Sequence, residues 1–230
     1  YTGQFYALSF LQKTMNIEFV QSNIIIAIAL VLGTPFFIYF GSLSDRIGRK
    51  KIMLTGMLLA ALAYYPNYKA MDNVGNLQMK QEQTELYKIE SNSARNESGE
   101  LVINSTRVHS YTDGSILRET GDKKELTVSR TNIAWLVFLI FIQVLFVTMV
   151  YAPIAAFLVE LFPTRIRYTS MSLPYHIGNG VFGGLLPTIS TILVARTGNH
   201  LAGLIYPVAI AVICFVVGII YLKDKRGVAL

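Results

Sequence analysis

Long apolar segments alternate with short charged turns along most of the chain. Stretches without Asp, Glu, Lys or Arg cover residues 21–43, 52–68, 131–159, 169–195 and 201–222. A helix that spans a bilayer needs about 20 mostly apolar residues. The pattern therefore predicts five complete transmembrane helices, and the shorter apolar run 1–12 predicts the end of a helix whose beginning is missing.

Residues 69–131 break this pattern, because they are polar and contain no long apolar run. A connection of this length is usually functional or a small domain. Residues 76–92 have the spacing of an amphipathic helix, whereas 100–109 and 115–129 predict short strands with turn signals at Asp113-Gly114 and Gly121-Asp122. The segment is thus expected to be a small extramembrane α/β insertion, with partial disorder as the alternative.

The distribution of charge supports a membrane protein and predicts its orientation. Charged residues make up 15% of the chain and hydrophobic residues 53%, whereas about a quarter of an average globular chain is charged. Basic residues cluster in the turns 46–51, 165–167 and 223–226. Lys and Arg in short connections mark the cytoplasmic side, and the predicted spans place all three clusters on one face. The insertion then lies outside. Nucleic-acid binding is not expected, because the basic residues lie at helix ends and form no continuous patch.

Three motifs carry a resemblance to a known family. The basic loop Gly41 to Lys51 fits the pattern Gly-x-x-x-Asp-Arg-x-Gly-Arg-Lys, and the other two motifs are Val159 to Tyr168 and Tyr1 to Ala7. Together with the glycine-rich run 178–187, they resemble the C-terminal half of a major facilitator superfamily transporter. The resemblance is strongest to the metabolite:proton symporter branch, whose members move small organic acids or zwitterions.

The resemblance implies an all-α membrane protein that forms the C-terminal six-helix bundle of a twelve-helix fold, with its first helix truncated. Residues 1–68 would hold helix 7 in part and helices 8 and 9, and residues 132–230 would hold helices 10, 11 and 12. Residues 69–131 would be a periplasmic insertion, which departs from the usual short loop of the family. The chain would lie in the bacterial inner membrane beside a missing N-terminal six-helix half.

The function that this resemblance implies is secondary active transport by alternating access, with protons as the coupling ion. Two alternatives stay open: a sugar-porter-like carrier, because Glu-x-Phe-Pro-x-x-x-Arg also occurs there, and a membrane sensor whose external insertion binds a ligand. An enzyme is not expected, because the sequence has no metal-spaced His, Cys and Glu set and no nucleophile beside a base. No cofactor or metal is predicted, and the single Cys214 excludes a disulfide within the chain.

Polar side chains inside spans are costly and therefore indicate candidate binding residues. The resemblance places substrate contacts on the first helix, where Gln4 and Tyr1 are the leading candidates and an interhelical hydrogen bond is the alternative. His176 is a possible proton carrier, although a neutral histidine bonded to a neighbouring helix is favoured. The full set of substrate-binding candidates is Tyr1, Gln4, Tyr6, Gln143, Tyr151, Tyr175, His176 and Asn179.

A second candidate group surrounds the basic loop and would act as a conformational latch. The expected contacts join Glu160 to Arg46 or Arg49, and Asp45 to Arg165 or to a helix N-terminus. The alternative is that these charges merely fix the topology. The predicted latch residues are Gly41, Asp45, Arg46, Gly48, Arg49, Lys50, Glu160, Arg165 and Arg167.

Glycines in the chain are expected to shape its turns and helix contacts. Gly41 and Gly48 fit a tight turn and close helix approach. Gly180 and Gly184 form a Gly-x-x-x-Gly pair, which predicts close packing of two membrane helices. Pro187 follows and can kink the helix.

Overall fold

The computed structural model describes residues 2–95, 101–163 and 165–222 of a mainly helical chain. Helix α1 (residues 2–14) is π-helical over Thr2–Tyr6 and Phe10–Thr14 and α-helical between them. The later helices are α2 (Phe19–Ile47), α3 (Arg49–Gly75), α4 (Arg130–Leu161), α5 (Arg167–His176), α6 (Leu186–Thr197) and α7 (Ile205–Tyr221). A π-helical segment, Ile177–Gly183, continues α5 towards α6, and a 3₁₀ turn, Ala202–Leu204, precedes α7.

Four helical stretches of the described ranges are long and apolar enough to cross a membrane, which makes the chain a membrane-embedded protein. They are Phe19–Ile47, Arg130–Leu161, Arg167–Thr197 and Ala202–Tyr221. The first three contain the predicted spans 21–43, 131–159 and 169–195, and the fourth lies within the predicted span 201–222. The remaining predicted span, 52–68, lies in α3, which has 27 residues but is less apolar. Polar residues at 64–68 lower its hydropathy, so a crossing by α3 stays a prediction.

Helix α4 is the central element, because it packs against both α2 and α3. Its residues Leu136, Ile140 and Val144 are fully buried. Gly33 of α2 lies directly on Val144, and Gly56 of α3 faces the α4 backbone at residues 146–150. Small residues at such crossings let membrane helices approach closely, so these two glycines set the spacing around α4.

We expect Gly56→Ala to lower stability although alanine favours helices. A methyl group at Gly56 would lie 2.9 Å from both Met149 Cβ and Val150 Cγ2, and overpacking of this kind costs about 1 kcal/mol or more. The matched control is Gly41→Ala, since a methyl group there meets no described atom within 4 Å. Thermal unfolding in detergent should show a lower midpoint for Gly56→Ala and an unchanged or higher one for Gly41→Ala. Equal midpoints would contradict the packing of α3 on α4.

The described part of the insertion forms a four-stranded antiparallel sheet in the order β1-β2-β3-β4. Its strands are β1 (Lys88–Arg95), β2 (Leu101–Ser110), β3 (Ile116–Thr120) and β4 (Lys123–Thr127). The strands predicted over 100–109 and 115–129 are confirmed, with the turn at Gly121-Asp122 separating β3 from β4. Gly114 and Gly121 have φ values of 79° and 57°, which glycine adopts most readily.

The helix predicted over 76–92 is wrong. Its residues form two short 3₁₀ turns, Leu77–Met79 and Thr84–Leu86, and then enter β1. An amphipathic helix would bury an apolar face, but the apolar side chains of Leu86 and Ile89 are both exposed. Without an apolar face to bury, pairing of β1 along β2 satisfies the backbone instead.

The sheet is hydrogen-bonded to the turn between α1 and α2. Leu126 N donates to Asn16 O at 2.7 Å, and Glu18 N donates to Leu126 O at 3.0 Å. The Gln21 amide donates to Val128 O and accepts from Val128 N, at 2.9 and 2.8 Å. Leu126 and Val128 also belong to the same apolar cluster as Phe10. The sheet therefore shares its core with the membrane helices.

Asp113 ties the sheet to the start of α4. Its carboxylate accepts hydrogen bonds from Asn132 Nδ2 at 2.8 Å and from Ser115 N at 3.0 Å, and it pairs with Lys80 Nζ at 2.7 Å. Burial opposes ionisation, but the bonds from Lys80 and Ser115 outweigh it and lower the pKa of Asp113 to about 2. The carboxylate is therefore charged throughout the physiological range. We call this end of the molecule the sheet end, and the end with residues 45–51 the basic end.

Candidate functional site

A cavity of about 500 Å³ opens between α1, α4, the π-helical segment 177–183 and α7. This volume lies within the range of small-molecule sites. Most of its wall is apolar, with Phe37 and Phe182 among the larger side chains. The polar groups on the wall come from four separate elements and are Thr2, Gln4, Tyr151, Asn179 and Tyr206.

The cavity brings together three of the predicted binding residues, Gln4, Tyr151 and Asn179. A fourth, Tyr175, lies beside them, because its hydroxyl is 2.7 Å from the Tyr151 hydroxyl. This hydrogen bond joins α4 to α5. Three of the sequence candidates therefore line one space and a fourth is bonded to its wall, although they come from three distant parts of the chain.

Tyr206 lines the same cavity and was missed in the sequence. Its hydroxyl donates to Phe182 O at 3.1 Å, which links α7 to the π-helical segment. The signal that could have found it is a phenol inside the apolar run 201–222, since a tyrosine hydroxyl in a membrane needs a polar partner.

Gln143 lies outside the cavity, buried between α3 and α4. Its Nε2 donates to Asn67 Oδ1 at 2.7 Å, and Asn67 Nδ2 donates to Leu139 O at 3.0 Å. The Leu139 carbonyl fixes the orientation of the Asn67 amide, which in turn fixes that of Gln143. The observed geometry is that of an interhelical hydrogen bond.

Two further binding candidates, Tyr6 and His176, are also not part of the cavity wall. Tyr6 is buried against Tyr68 and Phe10, with ring centroids 5.2 and 6.2 Å away. His176 is exposed and contacts the Tyr175 ring at a centroid distance of 5.9 Å. Tyr1 lies outside the described residues.

At the basic end, Arg49 links three helices. Its guanidinium forms an ion pair with Glu160 near the end of α4 and a second one with Asp45 of α2, at 3.0 Å. The Arg49 and Glu160 side chains are 20% and 32% exposed, so water screens their pair only in part. The expected contact of Glu160 with Arg49 is present. Asp45 pairs with Arg49, whereas the sequence predicted a contact with Arg165 or with a helix N-terminus.

The other predicted latch residues occupy varied positions. Arg165 and Arg46 are exposed. Arg167 Nε donates to Phe162 O at 3.2 Å and so closes the turn between α4 and α5. Gly48 has a φ of 111° and separates α2 from α3, as expected for a tight turn that needs glycine.

Two of the predicted glycine contacts are absent from the described residues. Gly41 lies inside α2 in open space, so it makes no close helix approach. Gly180 likewise has no neighbour within 4 Å of a methyl group placed on it. Residues 177–183 are π-helical, and i→i+5 bonding moves residues four apart off a common face. The expected packing through Gly180 and Gly184 therefore fails here.

Lys50 forms a contact at the basic end that the sequence did not predict. Its Nζ donates to Ile219 O at 3.0 Å and to Leu222 O at 2.5 Å, both at the C-terminus of α7. The last carbonyls of a helix have no partner within it, and a lysine there also interacts favourably with the helix dipole. Lys50 therefore fastens α7 to the start of α3.

Comparison with known proteins shows similarity to transporters. A Staphylococcus aureus (strain COL) protein named "Putative proline/betaine transporter" is 24% identical over 212 residues, which cover 92% of this chain and 33% of that protein. A Staphylococcus haemolyticus (strain JCSC1435) protein of the same name is 22% identical over 94% of this chain and 34% of its own length. The "Citrate-proton symporter" of Klebsiella pneumoniae is 38% identical over 73 residues, or 32% of this chain and 16% of that protein.

The chain matches only part of each relative. The chain spans about a third of the length of the staphylococcal relatives. No family model matches the chain, and no solved structure matches it. The similarity to transporters of small metabolites nevertheless extends over nearly all of the chain.

Proposed function

We propose that the chain is the C-terminal six-helix bundle of a major facilitator superfamily transporter for small organic acids or zwitterions. The observation that carries the proposal is the cavity shared by Gln4, Tyr151 and Asn179 in a chain that is similar to such transporters. We place the protein in the bacterial inner membrane, with the sheet end in the periplasm. Proton symport and alternating access are parts of the same proposal.

The cavity wall suits the uncharged part of a small metabolite. The amide and phenol groups of Gln4, Asn179 and Tyr206 can both donate and accept hydrogen bonds. The rings of Phe37 and Phe182 supply apolar contact. Among the described residues, no ionised side chain lines this cavity. A carboxylate or zwitterion needs opposite charges when it leaves water. We assign those charges to the N-terminal half, which would face this cavity across a site near the bilayer midplane.

The latch is proposed to hold the basic end closed in one state of the transport cycle. Arg49 joins α2, α3 and α4 there through Asp45 and Glu160. Opening of this end requires the ion pair between Arg49 and Glu160 to break. The free energy of that pair therefore contributes to the equilibrium between the two access states. His176 stays a candidate for proton handling on an exposed face of α5.

Uptake into liposomes by the complete transporter tests this proposal, with labelled proline, betaine, citrate and glucose as the solutes. We expect uptake of an organic acid or zwitterion, and we expect Gln4→Ala and Asn179→Ala each to raise its KM about tenfold, since a lost hydrogen bond costs about 1–2 kcal/mol. The control is Asn23→Ala, because Asn23 lies on α2 and its amide bonds to Phe19 O in its own helix. Uptake of glucose alone, or an unchanged KM in both cavity variants, would overturn the assignment.

A further inference from the structure

A second cavity, of about 480 Å³, lies at the sheet end of the molecule. Three separate parts of the chain form its walls: strands β3 and β4, the turn at residues 14–16, and the end of α3 with the nearby His200. Its apolar lining comes from Leu117 and Leu126, which are buried in the core shared by sheet and helices. The cavity exists because the insertion is bonded to the membrane helices.

Opposite charges occupy different walls of this cavity. Asp72 of α3 contributes a carboxylate, whose Oδ1 lies 2.8 Å from His200 Nδ1. Lys124 of β4 contributes an ammonium group, which pairs with Glu119 Oε1 at 2.9 Å. Glu119 itself is not part of the cavity wall. The cavity wall therefore carries one negative group from the helices, Asp72, and one positive group from the sheet, Lys124.

Both charged groups retain capacity for a ligand. A lysine ammonium has three N–H donors and a carboxylate has two oxygens, and each group uses one of these in its ion pair. The hydrogen bond from Lys124 to Glu119 raises the pKa of the ammonium, so Lys124 stays protonated well above neutral pH. Its existing partner also limits the freedom of this exposed side chain.

We propose that this cavity is a second binding site, for a small zwitterion whose cationic group faces Asp72 and whose anionic group faces Lys124. The apolar floor of Leu117 and Leu126 would contact the carbon chain between the two charges. The site is separate from the cavity lined by Gln4 and does not depend on the proposed transport activity. Its position joins the sheet to α3, so that an occupant would contact both.

Calorimetric titration of the full chain in detergent tests this proposal with three probes of equal chain length: 4-aminobutyrate, butyrate and butylamine. We expect 4-aminobutyrate to bind at least tenfold more tightly than either singly charged analogue. Asp72→Asn and Lys124→Gln should each weaken its binding about five- to tenfold, because each removes one of the two charges that face the bound zwitterion. Lys124→Arg, which keeps the charge, should bind like the unmodified chain.

The matched control is Lys123→Gln, because Lys123 is adjacent, pairs with Glu125 at 2.7 Å and is not part of the cavity wall. It should leave binding unchanged, and so should Gln4→Ala in the other cavity. Equal affinity for butyrate and 4-aminobutyrate, equal loss in Lys123→Gln and Lys124→Gln, or loss of binding in Gln4→Ala would each overturn the site. Unchanged unfolding midpoints of the charge variants would show that the loss in affinity is local.

Discussion

Uptake by the complete transporter is expected to fall about thirtyfold when Arg49 is replaced by Met. The replacement removes both ion pairs of the guanidinium and leaves Glu160, which is about two-thirds buried, without its partner. Loss of one member of a buried pair costs about 3–5 kcal/mol, and partial exposure reduces this to about 2 kcal/mol. If the pair is the proposed latch, the basic end would then close less often, and the transport cycle would slow in proportion.

The control for this prediction is Lys51→Met, which removes one positive charge from the same loop. Lys51 is exposed, and the positive-inside effect counts Lys and Arg alike. Equal loss of uptake in the two variants would show that the loop charges merely fix the topology. Exchange of the charges in Arg49→Glu with Glu160→Arg should restore part of the uptake, because the pair is re-formed in reverse.

Helix α3 connects the two ends at which these proposals are made. Its first turn holds Arg49 and Lys50, which contact the ends of α4 and α7, and its last turn holds Asp72 beside His200. The sheet is also hydrogen-bonded to the turn before α2 and to Gln21 of α2, so α2, α3 and the sheet meet at the sheet end.

The transmembrane helices could be predicted from sequence because the signal is local. Residues 131–159 and 201–222 are long and apolar enough to leave a helix as the structure that satisfies every backbone group in lipid. The local signal was weaker for residues 76–92, because a helix and a strand would each place some of their apolar residues on one side. The pairing of Lys88 with Val108 across the sheet decided that case, and such pairing is a property of two segments at once.

The candidate site could be predicted in part, for a similar reason. Gln4 and Asn179 stand out as polar residues in apolar runs, so their cost in the membrane is visible without coordinates. The contact of Lys50 with Leu222 O depends on where α7 ends in space, and no local pattern contains that information. Gln143 has the same sequence signal as Gln4, but its direction towards Asn67 is set by the rotation of α4.

The second large effect concerns this buried amide pair, which serves stability in one interpretation and substrate binding in the other. We expect Asn67→Leu to lower the free energy of unfolding by about 2–3 kcal/mol, because Gln143 Nε2 and Leu139 O both lose a partner while buried. Thermal unfolding in detergent measures this change. Adding Gln143→Leu should recover more than half of the loss, since two apolar side chains replace both members of the hydrogen-bonded pair.

The double variant separates the two roles of Gln143. If Gln143 serves stability through its bond to Asn67, the Asn67→Leu, Gln143→Leu transporter should recover uptake as it recovers stability. Its KM should equal that of the unmodified transporter. A raised KM in a fully stable double variant would instead place Gln143 at the substrate, as the sequence first suggested. Gln143 Nε2 donates to Asn67 Oδ1, and Asn67 Nδ2 donates to Leu139 O. These two bonds support the first outcome, because they hold the Gln143 amide against α3 and away from the cavity.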